Sequence, residues 1–143
     1  MNAGDRPILL DTHAWLWLCF GTHGVFSPPV RKRLAAADAA KPLHVSIIST
    51  WEVAMLAAKG RVNLALPTRA WMAQALSHPA LRQLAFDDPA VVVESNELPG
   101  NFHADPADRL LVATARIGGY VLATRDRKIL DYAKAGYVNV LRV

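Results

Sequence analysis

Five short apolar runs alternate with helix-length segments along this chain, and the alternation predicts an α/β fold: a three-layer domain whose five-stranded, mostly parallel sheet carries helices on both faces. Strands joined through helical crossovers run parallel, because each crossover returns the chain to the edge it left. Length and uniformity agree with this. The 143 residues are the size of one ordinary domain, here residues 1–143, and no repeat, linker or low-complexity stretch divides them.

Residues 7–10 form the first strand, which ends at Asp11, and the nearly all-apolar Thr12 to Phe20 that follows is of helix length. After the Gly21 to Gly24 turn, Ser27-Pro28-Pro29 supplies a helix start with proline in its first turn. Val30 to Ala40 continues that helix, with Arg31, Lys32 and Arg33 directed to solvent. Residues 43–48 read as the second strand. Ser49-Thr50-Trp51-Glu52 then has the spacing of a capping box and opens a helix through Lys59, which Gly60 ends. Val62 to Leu66 is a link, and Pro67-Thr68 starts a helix whose Trp71, Met72, Ala75 and Leu76 share one face until His78-Pro79.

Residues 81–86 are the third strand, and Asp87-Asp88-Pro89 begins a helix carrying Val91 to Leu98 up to Pro99-Gly100. Asn101 to Ala104 is loop. Asp105-Pro106-Ala107-Asp108 opens a strongly patterned helix with Leu110, Leu111, Ala113, Thr114 and Ile117 before Gly118-Gly119. Residues 120–124 are the fourth strand, Asp126 to Ala135 a helix closed by Gly136, and residues 138–143 the fifth strand.

Composition narrows the class. The longest apolar stretches, such as Ala14 to Phe20, fall far short of the roughly 20 residues a membrane helix needs. Asp5 and Asp11 also break the pattern of a secretory signal, so a cytoplasmic location without membrane contact is expected. Cys19 is the only cysteine, which excludes an internal disulfide; its place among Trp15, Leu16 and Phe20 predicts an inert core thiol. Sixteen Lys and Arg face twelve Asp and Glu, a formal net charge of +4. If four of those acids share one hollow, the remaining surface is more basic still and suits a polyanion.

Four acids have that potential. Asp11 and Asp126 directly follow the first and fourth strands, Glu52 falls in the first turn after the second, and Asp108 in the first turn of the helix leading to the fourth. In an open parallel sheet these points lie along one carboxyl edge, where ligands bind. Each acid alone is explained by helix capping or by the positive end of a helix dipole. Together they demand compensation, since two carboxylates about 4 Å apart repel by roughly 4 kcal/mol at an effective dielectric near 20. Arg109, Arg125 and Arg127 offer partial relief, and an all-oxygen set suits Mg2+ or Mn2+. The five histidines have no zinc-type spacing. His13 and His103 sit beside the site segments, where substrate contact competes with no role at all. The hydroxyls of Thr12, Ser49 and Thr124 stand at the same rim to orient a carboxylate or hold water.

The segments Ile8-Leu9-Leu10-Asp11-Thr12-His13, Ser46-Ile47-Ile48-Ser49-Thr50-Trp51-Glu52-Val53, His103-Ala104-Asp105-Pro106-Ala107-Asp108-Arg109-Leu110-Leu111 and Leu122-Ala123-Thr124-Arg125-Asp126 resemble those of PIN-domain ribonucleases. Within that family they are most similar to the VapC toxins of bacterial toxin–antitoxin pairs. The resemblance implies a sheet in the order 3-2-1-4-5 and a Mg2+- or Mn2+-dependent endoribonuclease acting on RNA. It places the metal-site and catalytic acids on Asp11, Glu52, Asp108 and Asp126, with Asp105 and Thr124 as supporting residues. A homodimer neutralised by a small antitoxin is also implied. The alternatives are a PIN nuclease of RNA processing that is not a toxin, and a non-catalytic RNA- or protein-binding module. Aspartyl phosphotransfer at Asp11 is disfavoured, because His13 stands where a second Asp is needed.

Overall fold

The computed structural model describes residues 3–143. The expectation of one domain over residues 1–143 includes Met1 and Asn2, which lie outside the described residues. Five strands, β1 (Ile8–Leu10), β2 (Leu43–Ser46), β3 (Leu81–Leu84), β4 (Val121–Thr124) and β5 (Val140–Arg142), form one sheet in the order β3-β2-β1-β4-β5. Every neighbouring pair is parallel. Among the described residues, seven α-helices cover it: α1 (Thr12–Phe20), α2 (Pro28–Ala35), α3 (Ile47–Ala58), α4 (Thr68–Leu76), α5 (Pro89–Asn96), α6 (Pro106–Gly118) and α7 (Arg127–Lys134).

Alternation along the central strand creates the two apolar layers. Ile8 and Leu10 face a core built with Trp15, Val30, Leu34, Val45 and Val53, while Leu9 faces the opposite core with Leu111, Val112, Leu122 and Ile129. Both faces of β1 are therefore buried, which explains its unbroken apolar sequence.

The helices depart from the sequence-based expectation at two places that matter. α2 ends at Ala35 rather than running to Ala40, because Ala36 to Ala40 has little to bury and the Asp38 carboxylate accepts from Ala40 N and Lys41 N instead. α3 starts at Ile47 without a loop after β2, and its cap is Ser46, whose Oγ accepts from Ile48 N. The capping box expected at Ser49 is thus displaced by one turn, and Glu52 sits in the second turn. Arg31 and Lys32 are exposed as expected, but Arg33 is half-buried.

Cys19 is a further correction. It lies at the surface end of α1 rather than in the core. Its thiol is nonetheless pushed up to about 11 by the partial cover of its surroundings, so it stays protonated and unreactive at neutral pH.

Leu122, fully buried and paired in register with Leu9, is a direct test of this layer. Leu122→Ala should lower stability by about 2–5 kcal/mol, read as a lower urea midpoint with an unchanged denaturant slope.

Candidate metal centre

β1 and β4 are adjacent and in register, with Leu10 opposite Ala123, so Asp11 and Thr124 emerge side by side at the carboxyl edge. Asp11 N donates to Ala123 O at 3.0 Å and extends that pairing by one residue. Asp11 is the N-cap of α1: one carboxylate oxygen accepts from Ala14 N at 2.8 Å, and the other accepts from the Thr124 hydroxyl at 2.5 Å. The same Thr124 oxygen accepts from Asp126 N at 3.0 Å. Asp126 in turn caps α7 through Ile129 N, and Asp105 caps α6 through Asp108 N.

Capping and clustering are thus compatible. A capping bond uses one carboxylate oxygen and fixes the direction of the other. Asp108 sits in the first turn of α6 without capping it. Glu52, from the second turn of α3, accepts from the Thr12 hydroxyl at 2.6 Å, and Thr12 Oγ1 is also hydrogen-bonded to Ser49 Oγ at 2.9 Å. Two of the rim hydroxyls, Thr12 and Thr124, therefore each hold a carboxylate.

The acids feel one another strongly. Asp108 is pushed up to about 7, first by burial and then by repulsion from Asp105, Asp126, Glu52 and Asp11. Burial also raises Asp11 and Glu52, against the lowering effect of their threonine hydrogen bonds. The expected relief from arginine is not supplied by two of the three candidates. Arg109 donates to the carbonyls of Ser95, Phe102 and His103, and Arg125 to those of Val143 and Val25 while lying over the Trp17 ring.

His103 joins the acids. Its Nε2 lies 2.9 Å from Asp108 Oδ2, without hydrogen-bond alignment, and His103, Asp108 and Asp126 each offer a ligand atom within 4.8 Å of the others. Asp11 and Glu52 stand outside that tight trio but within electrostatic reach of Asp108. The sequence pointed to this histidine only by its position five residues before Asp108. Carboxylates raised first by burial and then by like charge, with oriented oxygens and no Lys or Arg among the contacts described, suit a divalent cation. A hollow of about 880 Å³ lies elsewhere; it is lined by apolar groups such as Trp15, Leu18, Leu34 and Trp71 and holds none of these acids.

Residues 8–135 match the family described as the PIN domain. The chain belongs to that family. It is 37% identical over 128 residues to Ribonuclease VapC22 of Mycobacterium tuberculosis, covering 87% of this chain and 91% of that protein. Its fold is also similar to the crystal structure of VapBC2 from Rickettsia felis bound to a promoter DNA fragment, with a TM-score of 0.64 at 12% identity over 94% of this chain and 96% of the other. DNA-bound VapBC from Salmonella typhimurium gives 0.62 at 16% identity, over 95% and 97%. Both structural matches extend the PIN-family fold across nearly the whole chain.

Two outcomes follow from the electrostatics and the hydroxyl relay. Asp108 titrates in the fold near 7 but near 3.8 when unperturbed, so the folded state binds the extra proton. With EDTA present, stability should be greatest below pH 4 on this account and fall as pH rises through about 7. Melting curves across that range should show a shallower fall in Asp108→Asn. Thr124→Val, at a fully buried position, removes one donor and one acceptor together. It should cost about 1–3 kcal/mol in chemical denaturation.

Proposed function

We propose that this PIN-domain protein is a Mg2+- or Mn2+-dependent endoribonuclease that hydrolyses phosphodiester bonds of RNA, and the toxin of a VapBC-type pair. The observation that carries the reading is that Asp11, Glu52 and Asp126 all lie within electrostatic reach of Asp108, which is raised to about 7 first by burial and then by their like charge. The kinship with a protein named as a ribonuclease supplies the substrate class. The structural relatives named VapBC support a small antitoxin as partner, and a homodimer, which the family resemblance implies, and a cytoplasmic location belong to the same proposal.

Asp11, Glu52, Asp108 and Asp126 would hold the ion, with Thr124 and Thr12 keeping Asp11 and Glu52 aimed and Asp105 fixing the first turn beneath Asp108. A divalent cation bound there supplies an acidified water as nucleophile and positive charge against the phosphate oxygens. No side chain need act as a nucleophile. The hydroxyls favour the charged form of two carboxylates against the effect of burial, and the basic surface draws the strand in by counterion release.

Asp11→Asn should abolish Mg2+- or Mn2+-dependent cleavage of total RNA while leaving the circular dichroism spectrum unchanged; cleavage at the parent rate would refute the assignment. Millimolar Mn2+ should raise the melting temperature of the parent protein by the amount linkage requires, RT ln(1 + [L]/Kd), and an unmoved melting temperature would favour a non-catalytic module.

A further inference from the structure

A second hollow, of about 490 Å³, adjoins the acids and shares His103 with them. Asn101, Phe102, Lys128, Tyr132 and Tyr137 contribute to the rest of its wall. Its size lies within the roughly 300–1,000 Å³ of ligand pockets. Four rings lead outward from the acids: His103 to Phe102 at 4.5 Å between centroids, Phe102 to Tyr132 at 4.8 Å, and Tyr132 to Tyr137 at 4.8 Å. Tyr132 is buried and its hydroxyl donates to Pro99 O, so it forms a fixed back wall. Phe102, His103 and Tyr137 are only half-buried, so part of each residue meets solvent.

The hollow is held open by specific contacts. Arg109 donates to the carbonyls of both Phe102 and His103 at 3.0 and 3.1 Å, which pins the loop from the α6 side. Gly100 has φ +67°, and a Cβ there would lie 2.6 Å from Tyr137 Cε2, so the loop crosses that ring where only glycine fits. Lys128 and Asn101 are exposed on the lining. The neighbouring acid, Asp131, has Lys134 4.0 Å away.

Aromatic surface, an amide and an ammonium group beside a phosphodiester-cleaving centre are what an unpaired nucleotide requires. The rings stack its base, the amide meets the base edge, and the ammonium meets a phosphate. We infer that this hollow is a subsite for an unpaired nucleotide of the RNA strand, next to the phosphate held at the acids. The inference rests on the ribonuclease reading, and it makes the substrate single-stranded at this position, since a base paired in a duplex cannot reach the rings.

The test uses the full chain and fluorescein-labelled hexamers of adenylate and of uridylate, with binding read by anisotropy in EDTA and again in Ca2+. An Asn101→Ala, Lys128→Ala double variant should bind both hexamers about tenfold more weakly, and Phe102→Leu should shrink the affinity difference between them. In both variants the Mn2+-induced rise in melting temperature should match that of the parent, which separates this subsite from the metal centre. If the parent itself shows no such rise, the metal-centre reading fails while hexamer binding still judges the hollow. The inference is overturned by hexamer affinities within twofold of the parent in both variants, or by no parent binding in either condition. Equal binding of a fully paired duplex overturns it too, as does weakening confined to Phe102→Leu with a lowered melting temperature, which would assign that ring to the core.

Discussion

The hydroxyl of Thr124 ties the site to the fold. Fully buried at the end of β4, it donates to the carboxylate of Asp11 at the end of β1 and accepts from the backbone of Asp126 at the start of α7. This single relay is available only because β1 and β4 are neighbours in register, a consequence of the sheet order. A strand inserted between them, or a slip of one residue, would turn Thr124 or Asp11 into the core. Sheet topology therefore determines which carboxylate oxygens face the hollow.

What those oxygens face is a shortage of positive charge. The N-termini of α1, α6 and α7 offer their backbone N–H groups to Asp11, Asp105 and Asp126, and the partial charge at each helix end offsets some of the repulsion. The offset is incomplete, since repulsion from four other acids adds to burial in raising Asp108. Arg109 and Arg125 stand close in sequence but serve backbone carbonyls, which organises the surrounding loops and leaves the carboxylates without those cations. A mobile divalent ion and a polyanionic strand complete such a site where a fixed arginine would close it.

Much of this was legible in the residues, for local reasons. Strands buried on both faces show as apolar runs, and the helices after β1 and β4 announce their starts with Asp11 and Asp126, so both acids could be placed at one edge. The order of the five strands was different: alternation gives parallel crossovers, and the order came from family resemblance. The start of α3 was misplaced because Ser46 and Ser49 both precede an apolar run, and only Ser49 has a glutamate three residues on. The true cap is Ser46, and Glu52 is held instead by Thr12, forty residues earlier, a pairing no local pattern contains. The position of His103 beside Asp108 is hidden from the sequence for a similar reason, since it depends on a loop fixed by Arg109. Cys19 shares a helix with the buried Trp15, but it lies in the last turn, beyond the reach of the core.

An arrangement of crowded acids costs stability, and its position shows where that cost is offset. Leu9, Leu10, Leu122 and Ala123, the strand residues immediately before Asp11 and Thr124, are fully buried, and Val112 and Ala113 on α6 follow Asp108 by barely a turn into the core that holds Leu9 and Leu122. Burying side chains of this kind is worth about 1.5–3 kcal/mol each for the larger ones, so a few of them outweigh the repulsion above. The acids also stand on strand ends and the first two turns of helices, whose backbones are fixed by the parallel ladder and by the caps. Oxygens carried on free loops would relax away from one another and relieve the repulsion without any ion. Here the scaffold prevents that relaxation, and the unrelieved charge is what would favour a cation among these acids.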